Sequence, residues 1–103
     1  MSDRLSQLQQ MLERTPDDAF LLYGIAMEHK KLGATEDALR FLKRTIEADP
    51  NYCYAYYQRG QLFAQIGDRE SARRCYHHGI EAAGRAGDAH AREELQAALD
   101  LLE

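Results

Sequence analysis

The sequence predicts an all-α protein built from repeated antiparallel helix pairs. Apolar residues recur at helical spacing in every segment, and no segment shows the alternation expected of a β-strand. Residues 19–52 and 53–86 also match at an offset of 34 residues, with eight identities where ordinary composition gives about two. A period of this length, containing a helix, a turn and a helix, is typical of a helical-repeat solenoid.

The first part of the chain is predicted to form one helix and then one helix pair. The first helix covers residues 4–16, and repeat 1 covers residues 19–52. Gly33 suits a left-handed cap at the end of the first helix of the pair, and Thr35 is expected to cap the second. The apolar faces of the three helices are Leu5, Leu8, Met11 and Leu12; then Leu22, Ile25, Ala26, His29 and Leu32; then Ala38, Leu39, Leu42, Thr45 and Ile46.

The second part repeats this plan and adds a last helix. Repeat 2 covers residues 53–86, with its turn at Gly67. Gly84 and Gly87 are expected to loosen the connection to the last helix, residues 88–102, which begins at a possible capping residue, Asp88. The apolar faces are Tyr56, Gly60, Phe63 and Ile66; then Ala72, Tyr76, Gly79 and Ile80; then Leu95, Ala98, Leu99 and Leu102.

These motifs resemble the tetratricopeptide repeat family. The first repeat supplies Leu22, Ile25-Ala26, His29, Ala38, Leu42 and Pro50, and the second supplies Tyr56, Arg59-Gly60, Phe63, Ala72 and Tyr76. The sequence departs from the family pattern at Thr45, at Arg59 and at Gly84, which stands in the place of the second proline. The resemblance implies a right-handed superhelix in a single domain, residues 1–103, with a half-repeat at 4–16 and a C-terminal capping helix at 88–102. It also implies a protein–protein interaction module.

Small residues on the apolar faces give this resemblance an independent physical basis. Gly60, Ala26, Ala38 and Ala72 let paired helices approach closely, and larger side chains fill the wider gaps. One helix pair cannot bury its apolar face alone, so stacking of repeats is how such a chain makes a core.

Composition narrows the class of function. The chain is 45% hydrophobic and 29% charged, and its net charge of −4 disfavours general binding to nucleic acids or anionic membranes. No apolar run is long enough for a membrane span, and the first residues lack a signal-peptide core, so a cytoplasmic protein is expected. The cysteines, Cys53 and Cys75, lack the spacing of a zinc site and are expected to be buried or half-buried thiols.

The sequence contains little that would indicate a catalytic site or a metal site. His77 and His78 are adjacent and diverge by about 100° on a helix, so they cannot chelate as an i, i+4 pair would. The chain contains neither a phosphate-binding glycine loop nor a nucleophile elbow. We therefore expect no enzyme activity, no metal, no cofactor and no small-molecule substrate.

The predicted function is recognition of a helix or short apolar peptide in an aromatic-lined concave groove. The first helix of each pair would line this groove, and Phe20 and Tyr23 recur one period later as Tyr54 and Tyr57. The predicted partner-binding residues are Phe20, Tyr23, Met27, Lys31, Tyr54, Tyr57, Gln58, Gln61 and Gln65. One alternative is a homodimeric scaffold that uses the same face. Another is a nucleic-acid adaptor that works through the face from Arg69 to His78.

Overall fold

The computed structural model describes residues 3–102 as six α-helices, with no β-strand in that range. The helices are α1 (Asp3–Arg14), α2 (Ala19–Lys31), α3 (Thr35–Ala48), α4 (Cys53–Gln65), α5 (Arg69–Ala86) and α6 (Ala89–Leu102). The predicted all-α fold, with a last helix after the second helix pair, is confirmed. The chain forms two compact units, one ending at Asp49 and the other starting at Pro50.

In the first unit, α2 packs against both α1 and α3. The short turn from α2 to α3 makes these two helices an antiparallel hairpin. This turn passes through Gly33, whose φ of 75° is left-handed, as predicted. The core of the unit consists of Leu5, Leu8, Leu21, Leu22, Ile25, Ala26, Ala38, Phe41 and Leu42.

In the second unit, α5 packs against both α4 and α6. The turn from α4 to α5 passes through Gly67 with a φ of 86°, one repeat after Gly33. The core consists of Cys53, Ala55, Tyr56, Leu62, Ala72, Cys75, Tyr76, Ala82, Ala83, Ala91, Leu95, Leu99 and Leu102. The last helix therefore supplies four buried apolar residues to this unit, including the three leucines expected to face inward.

Two glycines in the second unit mark close approaches between helices. A Cβ added at Gly60 would lie 2.5 Å from Cε1 of Tyr76, and one added at Gly79 would lie 2.7 Å from Cδ2 of Leu95. Real Cβ atoms do not come so near other carbons, so α4, α5 and α6 reach these separations because the glycines have no side chain. The predicted use of small residues at helix contacts is confirmed at Gly60.

Aspartates cap three of the helices, whereas the predicted threonine cap is wrong. Oδ1 of Asp18, Asp68 and Asp88 accepts a hydrogen bond from a backbone N–H three residues later, at 3.1, 3.1 and 3.0 Å. Thr35 is already the first residue of α3, and Ala34 occupies the cap position without a side-chain hydrogen bond. A cap residue must precede the helical backbone, and Thr35 lies one position too late.

Three expectations about burial and helix ends are also corrected. Leu32 and Ile66 were placed on the apolar faces, but they are 53% and 58% exposed because each lies where its helix ends at a turn. Phe41 was not assigned to the core, yet it is buried. Gly84 does not loosen a connection: it lies inside α5, which has 18 residues where α3 has 14. In the first repeat, Pro50 follows the end of α3, and a proline there prevents the helix from continuing. In the second repeat, Gly84 stands in the matching place, and α5 continues through it for one more turn.

Candidate functional site

Three tyrosines of the second unit form a continuous aromatic cluster. The rings of Tyr54 and Tyr57, both on α4, meet edge to face with centroids 6.4 Å apart. The ring of Tyr57 then lies 6.3 Å from that of Tyr76 on α5. The spacing of Tyr54 and Tyr57 puts them on one side of α4, as the sequence predicted. Tyr76 was expected only in the core, and it links the cluster to the interior of the unit.

Polar contacts hold this cluster in place. The hydroxyl of Tyr54 donates a 2.8 Å hydrogen bond to Oε1 of Glu94 on α6. His90 places Nε2 2.8 Å from the same carboxylate oxygen. The hydrogen bond to Glu94, burial and the charge of Glu94 raise the pKa of Tyr54 to about 12, so its hydroxyl remains a donor at neutral pH. Nε2 of Gln61 donates to the hydroxyl of Tyr57 at 3.3 Å. These contacts restrict the tyrosine rotamers before any partner arrives.

A groove of about 380 Å³ adjoins the cluster, and we call it the α4–α6 groove. Its lining residues are Tyr57, Gln61, Ala64, Tyr76, Glu94, Ala97, Ala98, Leu101 and Leu102. The lining is mainly apolar, with an amide and a carboxylate among the lining groups. Leu101 is 86% exposed, which makes it the most exposed of the large apolar residues that the structure describes. Together with the apolar lining, this exposed leucine makes the groove a candidate contact surface for another molecule.

The contribution of α6 to this groove was missed by the sequence analysis. The core-facing leucines Leu95, Leu99 and Leu102 form one apolar stripe of α6. The same helix also carries a second stripe, which the sequence analysis did not identify. Residues 94, 97, 98 and 101 recur at i, i+3, i+4 and i+7, and three of these four residues are apolar. Two apolar stripes on one helix predict two contact surfaces. The second stripe was therefore a signal in the sequence from which this side of the groove could have been predicted.

The other α4 residues predicted for binding lie outside the groove lining. Gln58 is half-buried and Gln65 is exposed. The structure therefore brings Tyr57 and Gln61 together in the groove, with Tyr54 beside them through its ring contact.

The predicted residues of the first unit all lie on α2. Phe20, Tyr23, Met27 and Lys31 are spaced at i, i+3, i+7 and i+11, which places them along one side of the helix. Phe20 is 70% exposed, and Tyr23 and Met27 are half-buried. Nζ of Lys31 lies 3.6 Å from Oε2 of Glu28. We call this side of the helix the α2 face.

Glu28 is a buried carboxylate that the sequence analysis did not single out. It is 6% exposed, and Nε of Arg4 on α1 lies 3.6 Å from its Oε2, the same oxygen that Lys31 approaches. Two cations therefore balance one buried charge, and this arrangement also joins α1 to α2.

The basic segment from Arg69 to His78 is a solvated face with local pairing. Arg73 places NH1 3.2 Å from Oε2 of Glu70. Arg74 donates a 3.0 Å hydrogen bond to Oγ of Ser71. His77 and His78 are exposed on α5.

Comparison with known proteins decides the family. The tetratricopeptide repeat model matches residues 21–52 and 54–85, which together make up more than half of the chain. The chain belongs to the tetratricopeptide repeat family. A TPR repeat-containing protein of Pseudomonas aeruginosa is 31% identical over 88 residues, which cover 85% of this chain and 84% of that protein. Such repeats are generally protein–protein interaction modules and generally not enzymes.

Solved structures agree with this assignment. The solution structure of a tetratricopeptide repeat domain protein from Salinibacter ruber has a TM-score of 0.80 and 34% identity, covering 85% of this chain and 89% of that one. The TPR2B domain of yeast Sti1, solved in a complex with pHsp70, has a TM-score of 0.88 and 19% identity, covering 95% of this chain and 78% of that one. At that identity the second likeness concerns the fold alone.

Residues 3–102 contain neither a helix that could span a membrane nor a cluster of metal-binding side chains. No helix in this range combines the length and the apolar character needed to cross a membrane. Histidine, cysteine and acidic side chains within it form no group of three that could hold a metal ion.

Proposed function

We propose that this chain is a non-enzymatic adaptor that binds an amphipathic helix or a short apolar peptide of another protein. The observation that carries the proposal is the α4–α6 groove, where Tyr57, Tyr76 and Leu101 offer apolar surface beside fixed polar groups. This role requires no cofactor. We place it in the cytoplasm, where two buried thiols, Cys53 and Cys75, stay reduced.

The groove chemistry suits one apolar anchor with a polar or basic neighbour. An apolar side chain that covers Leu101 removes from water a leucine that is 86% exposed, and this burial favours binding. Tyrosine rings add contact area at low entropic cost because they are already held in place. The carboxylate of Glu94 in the lining favours a basic or hydrogen-bonding group next to the anchor.

The α2 face is proposed as a second contact surface. Phe20 is exposed, and Met27 has a flexible side chain that adapts to different apolar partners. Lys31 adds a positive charge at the end of this face. On α4, Gln58 and Gln65 are proposed to supply flanking polar contacts to the bound peptide. The complex of the Sti1 TPR2B domain with pHsp70 supports this reading at the level of the fold, because that domain holds a partner.

A homodimer is the second candidate function. The exposure of Phe20 (70%) and Leu101 (86%) would suit a second copy of the chain as well as a foreign peptide. Light scattering on the purified protein separates these two candidates. A monomeric wild type excludes the homodimer. A dimeric wild type whose Leu101→Glu variant is monomeric supports the homodimer. The nucleic-acid alternative is not proposed, since Glu70 pairs with Arg73 and the net charge is −4.

The decisive experiment is selection of peptides from a displayed library on the wild-type chain, followed by affinity measurement with two matched variants. Leu101→Glu puts a charge in the groove, and we expect at least about a tenfold loss of affinity. Ile66→Glu is the control, because Ile66 is also an exposed apolar residue of the second unit but lies outside the groove. Unchanged binding by Leu101→Glu, or equal losses in both variants, would contradict the proposal.

A double variant tests the two contact surfaces together. Tyr57→Ala removes the ring at the centre of the groove, and Tyr23→Ala removes an aromatic side chain from the α2 face. We expect the double variant to abolish binding of the selected peptides while circular dichroism still shows a folded helical protein. If the double variant keeps full affinity, neither surface is the site.

A further inference from the structure

A second cavity, of about 210 Å³, lies between α4 and α5, and none of its lining residues belongs to the α4–α6 groove. Its lining residues are Arg59, Phe63, Ser71, Arg74, Cys75 and His78. Two guanidinium groups, an imidazole and a hydroxyl therefore surround the cavity, and the lining includes no carboxylate. The cavity is independent of the proposed peptide site.

Two differences between the repeats account for the room and the charge in this cavity. Arg59 occupies the position of Ile25 in the first repeat, and Ile25 is fully buried. Cys75 occupies the position of Phe41, whose ring is buried and stacks on His29 with centroids 5.5 Å apart. Replacing a phenylalanine by a cysteine makes room, and replacing an isoleucine by an arginine puts a positive charge beside that room.

The charge on Arg59 lacks a balancing partner at its inner nitrogen. Nε of Arg59 is buried, and no residue in the described range accepts a hydrogen bond from it. The guanidinium carbon lies 5.0 Å from the ring centroid of Phe63, so the flat side of the group is covered while its edge keeps its hydrogen-bonding capacity. A buried cationic N–H without an acceptor costs free energy, and an anion that reached this nitrogen would remove that cost.

Neighbouring groups do not supply the missing negative charge. Burial raises the pKa of the Cys75 thiol, although the charge and hydrogen bond of Arg59 oppose this shift, so the sulfur is a neutral partner at pH 7. Asp68 caps the helix: it accepts hydrogen bonds from the backbone N–H and the hydroxyl of Ser71 at 3.1 and 2.8 Å, and its negative charge acts on Arg74, whose charge helps to lower the pKa of this carboxyl. An acceptor for Nε of Arg59 must therefore come from outside the lining of the cavity.

We propose that this cavity binds a small oxyanion of the size of a phosphate group. Arg59 donates from the buried side and Arg74 from the exposed side, and the imidazole of His78 offers a further N–H. The volume is well below the roughly 300–1,000 Å³ of sites for drug-sized ligands, so it suits a small anionic group rather than a whole nucleotide. The same chemistry fits free phosphate or the phosphate of a modified side chain.

The test is a titration of the whole chain with inorganic phosphate at constant ionic strength, with chloride as the reference anion. The readout is the NMR signal of the Arg59 Nε–H and of the backbone amides around it. We expect a saturable shift with phosphate and none with chloride. A parallel titration with a short phosphoserine peptide identifies the source: tighter binding than inorganic phosphate points to a phosphorylated segment, and equal binding points to free phosphate.

Matched variants locate the site. Arg59→Ile installs the residue found at this position of the first repeat and should abolish the saturable shift of the amides. Arg74→Gln, at an exposed position that tolerates change, should weaken phosphate binding about tenfold. The control is Arg40→Gln, which changes the matching arginine of the first repeat, paired with Asp37 at 2.9 Å, and should leave binding unchanged. No saturable shift in the wild type, or full binding by Arg74→Gln, overturns the proposal even if Arg59→Ile fails to fold.

Discussion

Replacing Gly79 by alanine is the sharpest test of how closely the helices of the second unit pack. The new Cβ would lie 2.7 Å from Cδ2 of Leu95 and 2.8 Å from Cβ of Tyr56. The preferred separation of two such carbons is about 3.5–4.0 Å, so both neighbours must move. The side chain of Leu95 is fully buried and has little room to turn, and the Cβ of Tyr56 moves only if α4 itself moves.

The expected magnitude follows from two opposing effects. Overpacking a tight core contact costs about 1–3 kcal/mol, and a contact that is too close on two sides belongs in the upper half of that range. Alanine favours the helix over glycine by about 1 kcal/mol, which offsets part of the cost. We therefore expect Gly79→Ala to lower the free energy of unfolding by about 1–2 kcal/mol. Gly84 lies in the same helix with nothing within 4 Å of an added Cβ, so Gly84→Ala should be stabilising by about 0.5–1 kcal/mol.

The assay is urea unfolding followed by circular dichroism at 222 nm, with both variants and the wild type measured in parallel. The difference between the two alanine variants, about 2 kcal/mol, is well above the error of such measurements. If Gly79→Ala raises the stability as Gly84→Ala does, α5 does not approach α4 and α6 as described.

Three further predictions concern other parts of the chain. Ala38→Leu and Ala72→Leu should each lower the free energy of unfolding by about 1–3 kcal/mol, because both alanines are fully buried and a leucine would overpack the helix contact. Melting temperatures equal to that of the wild type would show that the two alanines do not occupy equivalent packed positions in the two repeats. The Tyr54 pKa is raised from 10.0 to about 12 in the folded state, so its hydrogen bond to Glu94 should contribute fully below pH 10 and be lost as the pH rises to 12. Urea unfolding of Tyr54→Phe should therefore show a constant deficit from pH 7 to pH 9 that shrinks above pH 10, and a deficit independent of pH would contradict this. Truncation after Gly87 should cause aggregation or loss of cooperative unfolding, since α6 buries four apolar residues, and a soluble truncated chain with the wild-type melting point would show that α6 is dispensable.

Local signals in the sequence were enough for most of the fold. Gly33 and Gly67 are 34 residues apart and both lie in the predicted turns, where Gly33 adopts the predicted left-handed backbone and Gly67 adopts it as well. Asp88 caps the last helix, as expected from an aspartate before an apolar stripe. These features depend only on residues within one or two turns of each other, so a single sequence contains the information.

The parts that the sequence did not give depend on contacts between distant residues. Tyr54 and Glu94 are 40 residues apart, and nothing in the sequence around either residue identifies the other as its hydrogen-bond partner. The exchange of Ile25 for Arg59 was visible only as a departure from a pattern, and its meaning depends on the nearby loss of the Phe41 ring at Cys75. Such compensation is set by tertiary packing, which overrides the local pattern.

The extra turn of α5 affects the susceptibility of the chain to proteolysis just before α4. Nε of Arg85, in that turn, donates to Oδ1 of Asn51 at 2.7 Å, and NH2 donates to the carbonyl of Pro50 at 3.1 Å. The same carbonyl accepts a 2.7 Å hydrogen bond from the hydroxyl of Tyr56. A protease must pull a segment into an extended form before it can cut, and here three hydrogen bonds anchor the residues just before α4. Cleavage at this otherwise exposed segment would therefore have to wait for the end of α5 to open, so the rate of nicking there would report local opening of α5 rather than the exposure of the segment itself.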